Sequence, residues 1–279
     1  MNEILIEKTT NARKLILNVA NRVGGSHIGG SFSIIDFLCT LYTKYIEIGC
    51  LSKENLYNGK LYDLPQIIFS KGHCYLSQLA ALDTICELNY YTNNYLVKNT
   101  YLFGHPKRDD NNENFVVSTG ALGQGVTFGN GIALSYKINQ SNRKVISIIG
   151  DGELNEGSCT EAILFAAHHN LNHTFILDYN NQMSLGKTSN IFSLGNLKER
   201  FSSYGLKCID INGHSFSELI SCINTILDKN DNEPKFIILK TIKGKGVSFM
   251  EGNSKWHHRR FKDDEYSNAI TELNKKNEK

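Results

Sequence analysis

A strand, a helix and a second strand follow one another in the middle of the chain, and this succession most constrains the fold. The apolar run at residues 144–149 (KVISII) has the pattern of a buried strand, and residues 173–177 (HTFIL) repeat that pattern. Between them, residues 157–170 carry apolar side chains at helical spacing. Three further apolar runs have the length of strands: 66–69, 206–209 and 236–239.

Apolar strands that alternate with helices indicate a parallel sheet with helices on both of its faces. We therefore predict an α/β, doubly wound fold with a mostly parallel sheet. Residues 1–279 are expected to form a single domain, because a chain of 279 residues can bury a sizeable core. The charged C-terminal stretch, from about residue 265 to residue 279, is expected to be a frayed tail.

The composition is that of an ordinary soluble globular protein, with 41% hydrophobic and 21% charged residues. A net charge of +2 is too small to indicate a nucleic-acid partner, and no apolar run approaches the roughly 20 residues of a membrane span. The N-terminus lacks the basic-then-apolar order of a secretory signal. The cysteines number seven and form no Cys-x-x-Cys pair, so we expect free thiols and a cytoplasmic location.

Polar residues follow both strands of the central unit. The first strand leads into Gly-Asp-Gly at 150–152, and the second leads into Asn180 and Asn181. Because both strand ends of a right-handed βαβ unit lie on one edge of the sheet, Asp151 and Asn181 are expected to converge. With a backbone carbonyl, for which Met183 is placed, they would form a partial Mg²⁺ cage completed by a diphosphate and water. Each motif alone is more often a simple turn.

Two basic segments have compositions that could suit phosphate or nucleic acid. Residues 240–246 (KTIKGKG) are basic and rich in glycine, which suits phosphate binding, but they lack the order of a Walker loop. We interpret them as a strand end that leads into a loop over the site. Residues 256–262 (WHHRRFK) are interpreted as a solvated surface.

Six segments, in order between about residue 10 and about residue 260, resemble the transketolase family. Residues 150–181 resemble the thiamine diphosphate motif, which begins Gly-Asp-Gly and ends Asn-Asn, and GDGELNEG resembles its transketolase version. Five more segments are similar to that family: SHIGGS at 26–31, SKGH at 70–73, GHP at 104–106, TGALGQG at 119–125 and KTIKGKGVSFMEGNSKWHH at 240–258.

The resemblance implies a thiamine diphosphate-binding fold and a set of cofactor-binding residues. The metal, Mg²⁺ or in its place Ca²⁺ or Mn²⁺, would be held by Asp151, Asn181 and the carbonyl of Met183. Gly152 would bring its N–H to the diphosphate, and Gly120 would offer its carbonyl to the aminopyrimidine. The implied residues around the cofactor are His73, Gly120, Leu122, Gly150, Gly152, Glu156, Asn181 and His257.

The resemblance also implies four catalytic histidines: His27, His73, His105 and His257. Imidazole titrates near neutrality, so it can exchange protons with sugar hydroxyls and carbonyls. The family has glycine where this chain has His258, so the sequence leaves open whether His257 or His258 faces the site. By contrast, His168, His169 and His173 are expected to be solvent-facing or satisfied in the core.

The activity implied is transfer of a two-carbon ketol unit from a ketose phosphate to an aldose phosphate. In the family, a separate pyrimidine-binding domain carries the glutamate that activates the cofactor, and no glutamate here matches that pattern. We therefore expect one half of a split transketolase, acting on sugar phosphates with a C-terminal subunit that supplies the pyrimidine domain. A dimer or a dimer of heterodimers is implied, with no nucleic-acid or membrane partner.

Two other hypotheses stay open on the sequence alone. The chain could be half of another thiamine diphosphate enzyme, such as a deoxyxylulose phosphate synthase or the α-subunit of a 2-oxoacid dehydrogenase. It could also be a non-catalytic binding subunit that retains the fold.

Overall fold

A parallel sheet of five strands lies at the centre of the structure. The structure is a computed structural model that describes residues 2–52, 54, 64–89, 92–93, 105–108 and 116–277. The strands are β1 (Gln66–Phe69), β2 (Val145–Gly150), β3 (His173–Tyr179), β4 (Lys207–Asn212) and β5 (Lys235–Lys240). They pair in the order β1-β2-β3-β5-β4, and each neighbouring pair is parallel. The five predicted strands are therefore confirmed, with ends displaced by at most three residues.

The helices cover both faces of this sheet, which confirms the α/β doubly wound fold. They are α1 (Asn2–Val23), α2 (Ile28–Glu47), α3 (Tyr75–Ile85), α4 (Gln124–Ile138), α5 (Gly157–His168), α6 (Thr188–Ile191), α7 (Leu197–Ser202), α8 (Phe216–Leu227) and α9 (Glu265–Asn277). Three short 3₁₀ turns lie at Gly72–Cys74, Glu153–Asn155 and Ser254–Trp256. None of the described helices is both long and apolar enough to span a membrane.

Alternate strand residues supply two separate apolar cores, one on each face of the sheet. In β2, Ile146 and Ile148 join the core under α1, α2, α3, α8 and α9, whereas Val145 and Ile149 join the core under α4, α5 and α7. Side chains of a strand point alternately to the two faces, so strands buried on both faces read as continuous apolar runs. The strands could therefore be predicted from the sequence as continuous apolar runs.

The N-terminal helices α1 and α2 had no predicted counterpart. Helix α2 is buried along most of its length, from Ile28 to Tyr42, and it packs against α1, α3 and α8. A helix that is buried around its whole circumference has no solvent-facing polar stripe, so the sequence of α2 lacks the periodic signal of a surface helix.

The prediction of a frayed C-terminal tail is wrong for residues 265–277. They form helix α9, which packs against α1 and buries Ala269 and Leu273, each no more than 1% exposed. Lys275 is exposed on the other side of this amphipathic helix, and composition alone did not indicate the two buried positions. Residues 278–279 lie outside the described part of the chain. All seven cysteines are free, as predicted.

A buried polar triad joins the N-terminal helices to the loops at the edge of the sheet. Arg13 and His214 each bind Asp36 Oδ2, both at 2.8 Å. Burial alone would raise the pKa of Asp36, but the charge of Arg13 and the hydrogen bond from His214 lower that pKa to about 2. Arg13 also donates to the carbonyl of Lys245, and His214 Nε2 accepts the N–H of Ile242. The triad therefore fixes the loop that follows β5.

We expect Asp36→Asn to destabilise the fold by roughly 3 kcal/mol or more, because it leaves the buried Arg13 guanidinium without its carboxylate. The free energy of unfolding from denaturant titration measures this. Asp210→Asn is the matched control, because Asp210 pairs with Lys240, whose side chain is 62% exposed, so a much smaller change is expected. Equal changes in the two variants would contradict a structural role of the triad.

Candidate active site

A cavity of about 210 Å³ opens at the carboxyl edge of the sheet. Its walls come from the segments that follow β1, β2, β3 and β5, together with the first turn of α2. Ligands of open α/β sheets bind at this edge, so the cavity lies where the strand order predicts it.

The buried carboxylate of Asp178, near the end of β3, organises one wall of the cavity. It accepts hydrogen bonds from Lys71, Ser33 and Thr241, and from the Asn180 side chain at 3.2 Å. Burial would raise the pKa of Asp178, but the Lys71 ammonium and these hydrogen bonds hold it below its usual value. Sequence analysis did not single out this ion pair, because its two members stand far apart in the chain.

Asp151 and Asn180 converge on a single backbone donor. The N–H of Gln182 donates to Asp151 Oδ2 at 3.1 Å and to Asn180 Oδ1 at 3.0 Å. Asp151 is 3% exposed and also accepts from Thr188 Oγ1 at 2.9 Å. Burial, followed by the charge of Asp178, raises the pKa of Asp151. A cation beside Asp151 would offset both effects.

The structure places the side chain of Asn180 at the cavity, whereas the side chain of Asn181, the asparagine predicted to hold the metal, lies outside the cavity lining. Asn181 has a left-handed backbone, with φ of 55°, and its Oδ1 accepts the N–H of Ser189 at 3.0 Å. Asparagine is one of the few residues that adopt this conformation readily. The turn therefore directs the Asn181 side chain toward α6, whereas Asn180 lines the cavity. Because the two asparagines are adjacent, the sequence alone does not show which of their side chains faces the cavity.

In the GDGELNEG segment, too, a neighbouring residue lines the cavity in place of the predicted one: Glu153 instead of Glu156. Glu156, which was expected around the cofactor, is exposed at the start of α5 and does not line the cavity. Glu153 lines the cavity instead, and its carboxylate accepts from Ser70 Oγ and from the N–H groups of Gly123 and Gly150. Burial raises the pKa of Glu153. The 3₁₀ turn at Glu153–Asn155 produces this inward orientation.

The other residues expected around the cofactor lie at or beside the cavity. Gly150, Gly152, Leu122 and Met183 line it. The N–H of Gly152 donates to Asp151 Oδ1 at 2.9 Å. Gly120 has φ of 155° and packs against the ring of His105, which a β-carbon at position 120 would approach to 3.0 Å.

The four histidines predicted to be catalytic lie together. The ring of His27 lies 5.1 Å from that of His73, 5.2 Å from that of His257 and 6.0 Å from that of His105, measured between centroids. His258 is also adjacent to His27, at 4.5 Å. His257 lines the cavity and receives a 2.9 Å contact at Nδ1 from Lys243, so the structure places His257 at the cavity wall.

Burial keeps three of these imidazoles neutral. Burial, and after it the neighbouring histidines and Lys243, lower the pKa of His27 to about 3. Burial and Lys243 lower the pKa of His257 to about 4, and burial with the charge of Lys71 holds the pKa of His73 well below its usual value. Neutral imidazole carries one donor and one acceptor nitrogen, so each ring can pass on a proton without carrying a permanent charge.

The remaining histidine predictions are confirmed. His168 and His169 are exposed at the end of α5. His173 is fully buried, with one ring nitrogen 2.8 Å from Ser147 Oγ and the other 2.8 Å from Asn130 Oδ1. It is therefore a core histidine with both nitrogens satisfied. The 256–262 segment is only partly solvated, because Trp256 is buried at 2% exposure.

We expect the ring protons of His27 and His257 to show no titration in NMR spectra recorded between pH 8 and about pH 5.5. Their native pKa values of about 3 and about 4 lie below the value of the unfolded chain. The unfolded state therefore binds more protons below about pH 6.5, and the free energy of unfolding falls as the pH falls through that range. A full titration of either ring near pH 6.5 would contradict the burial argument.

Comparison with known proteins places this geometry in a family. A family model described as "Transketolase, thiamine diphosphate binding domain" matches residues 6–278. An apulose-4-phosphate transketolase subunit of Actinobacillus succinogenes is 32% identical over 274 residues, which cover 96% of this chain and 95% of that protein. The chain belongs to the transketolase family. It is a thiamine diphosphate-binding domain of the transketolase type.

Other transketolases agree in sequence and in fold. A 6-deoxy-6-sulfo-D-fructose transketolase subunit of a Clostridium species is 31% identical, with 94% of each chain covered. Among solved structures, Leishmania mexicana transketolase superposes with a TM-score of 0.81 at 23% identity. Campylobacter jejuni transketolase superposes with a TM-score of 0.78 at 25% identity. This chain spans 41% and 43% of those two transketolase chains.

Proposed function

We propose that this chain is the cofactor-binding subunit of a split transketolase and that its cavity holds the diphosphate of thiamine diphosphate through a divalent cation. The observation that carries the proposal is the convergence of Asp151 and Asn180 on one N–H group at the cavity, beside a cluster of neutral histidines.

The oxygens at this point suit Mg²⁺, with Ca²⁺ or Mn²⁺ as substitutes. Asp151 supplies a carboxylate, Asn180 an amide oxygen, and the neighbouring carbonyls of Gln182 and Met183 lie on the same wall. In the described residues, no group of three or more His, Cys, Asp or Glu side chains is arranged to hold a metal. A cation here would therefore depend on diphosphate oxygens for part of its shell, as Mg²⁺ bound with a phosphorylated ligand does.

The histidines supply proton handling around the reacting carbons. Thiamine diphosphate, when bound, supplies the nucleophilic carbon and the electron sink that cleave and form the sugar carbon–carbon bond. His73 and His257 line the cavity, where a neutral ring nitrogen would donate to phosphate oxygens. His27 lies beside His73 and His105, and His27 and His105 would accept or return protons at the hydroxyl and carbonyl groups of the sugar.

The proposed substrates are a ketose phosphate donor and an aldose phosphate acceptor, between which a two-carbon ketol unit is transferred. Two relatives act, by their names, on apulose-4-phosphate and on 6-deoxy-6-sulfo-D-fructose, so the sugar differs among similar subunits. We assign the choice of sugar largely to the partner subunit. We also propose a cytoplasmic location, because seven free thiols suit a reducing compartment.

A partner subunit is supported by the length of the relatives and by the surface of this chain. Three similar proteins are named as transketolase subunits, and the matches cover 92–95% of their length. Four large apolar side chains near α4 and α5 are each at least 40% exposed: Leu122, Phe128, Leu164 and Phe165. Exposed apolar patches often mark protein interfaces. We propose that this surface faces the pyrimidine-domain subunit within a dimer or a dimer of heterodimers.

Asp151→Ala and Asn180→Ala should each weaken Mg²⁺-dependent binding of thiamine diphosphate at least about tenfold, since each removes an oxygen that would hold the cation. Calorimetric titration in the presence and absence of Mg²⁺ measures this. Asn181→Ala is the matched control and should keep most of the affinity. If Asn181→Ala lost the binding and Asn180→Ala kept it, the orientation assigned to the two asparagines would be wrong.

The purified chain alone should show no ketol transfer, because the resemblance assigns the cofactor-activating glutamate to a pyrimidine domain. Adding the partner polypeptide should restore turnover of a ketose phosphate and an aldose phosphate, followed by product formation over time. Asp151→Ala mixed with the same partner provides the control and should stay inactive. Sustained turnover by this chain without any partner would rule out the split arrangement.

A further inference from the structure

His258 stands where the resembling family has a glycine, and the structure brings its ring into the histidine cluster. The ring centroids of His258 and His27 are 4.5 Å apart, which is shorter than the distances from His27 to the other three rings. After burial, the charge of His258 is the largest influence that lowers the pKa of His27. This chain therefore has a fifth imidazole beside the point where the sugar is proposed to react.

The backbone on both sides of His258 is anchored, so its ring is held at the cluster by a fixed loop. Arg259 forms an isolated antiparallel bridge with Ser26, which aligns this loop with the segment that leads into α2. The Arg259 guanidinium binds both carboxylate oxygens of Glu265, at 3.1 and 2.8 Å, and lies 4.4 Å from the ring centroid of Trp256. Trp256 is 2% exposed, so it fixes the chain two residues before His258.

The His258 side chain itself is exposed, and among the described residues its ring nitrogens have no hydrogen-bond partner. In this it differs from His173, whose two nitrogens are both satisfied, and from His257, whose Nδ1 contacts Lys243. An imidazole has one donor and one acceptor nitrogen when it is neutral. Held beside the cluster, the His258 ring can therefore bind an oxygen of a ligand that enters from solvent.

We propose that His258 is a further substrate-binding residue, which donates a hydrogen bond to an oxygen of the sugar phosphate on the exposed side of the histidine cluster. This inference rests on the proposed function and extends it, because it gives this subunit a share in the choice of sugar. A glycine at position 258 has no side chain to make such a contact. Hydroxyl groups and the phosphate both offer acceptor oxygens, and the experiment separates these two sources.

The test is the steady-state kinetics of His258→Ala, assembled with the partner subunit and saturated with thiamine diphosphate and Mg²⁺. We expect the KM for the sugar phosphate to rise about three- to tenfold, with a smaller effect on kcat, because one hydrogen bond to the substrate is lost. His258→Gln should recover part of the affinity, since its amide also donates. Lys255→Ala is the matched control and should keep the wild-type KM, because Lys255 is exposed on the same loop outside the ring cluster.

A ketose phosphate and the same ketose without its phosphate identify the oxygen that His258 binds. A rise in KM for the phosphorylated sugar alone would place His258 at the phosphate, and a rise for both sugars would place it at a hydroxyl group. An unchanged KM in His258→Ala, even with weaker association with the partner subunit, would overturn the inference and leave the proposed function standing. So would an equal rise in KM in Lys255→Ala. A wild-type chain that binds no thiamine diphosphate with Mg²⁺ in calorimetry would instead overturn the proposed function.

Discussion

The rest of the site depends on the ion pair and the hydrogen bonds of the buried Asp178 carboxylate. This carboxylate joins the segment after β1 through Lys71, helix α2 through Ser33 and the segment after β5 through Thr241. It also receives the side chain of Asn180, which it turns toward the cavity. Because an unpaired buried charge costs several kcal/mol, these segments are held together at one end of the sheet. The orientation of the Asn180 side chain at the cavity therefore follows from the Lys71–Asp178 ion pair.

Much of the fold and part of the site could be predicted from the sequence, because they follow from local patterns. The strands buried on both faces read as apolar runs, so β2 and β3 were found directly. Asp151 was placed correctly because a residue after a parallel strand must lie at the carboxyl edge of the sheet. The histidine cluster came from family resemblance alone, since nothing in the local sequence around His27 or His105 indicates that their rings meet.

The rest could not be predicted, because it depends on single backbone angles and on long-range partners. A left-handed residue at Asn181 directs its side chain away from the cavity that Asn180 lines, and a 3₁₀ turn brings Glu153 rather than Glu156 to the cavity. Such angles are decided by tertiary hydrogen bonds such as that to Ser189. The place of Lys243 in the cavity wall likewise depends on tertiary contacts, which no spacing rule states.

The histidine cluster draws its rings from chain segments separated by tens to hundreds of residues, at His27, His73, His105 and His257. Bringing such distant segments together costs loop-closure entropy before any contact is gained, and folds dominated by non-local pairing form slowly. A partly folded chain, with β2 and β3 paired but α2 not yet docked, would present the Gly-Asp-Gly turn without its histidines. The histidine cluster therefore forms only when the segments that carry these four residues have all docked at the edge of the sheet.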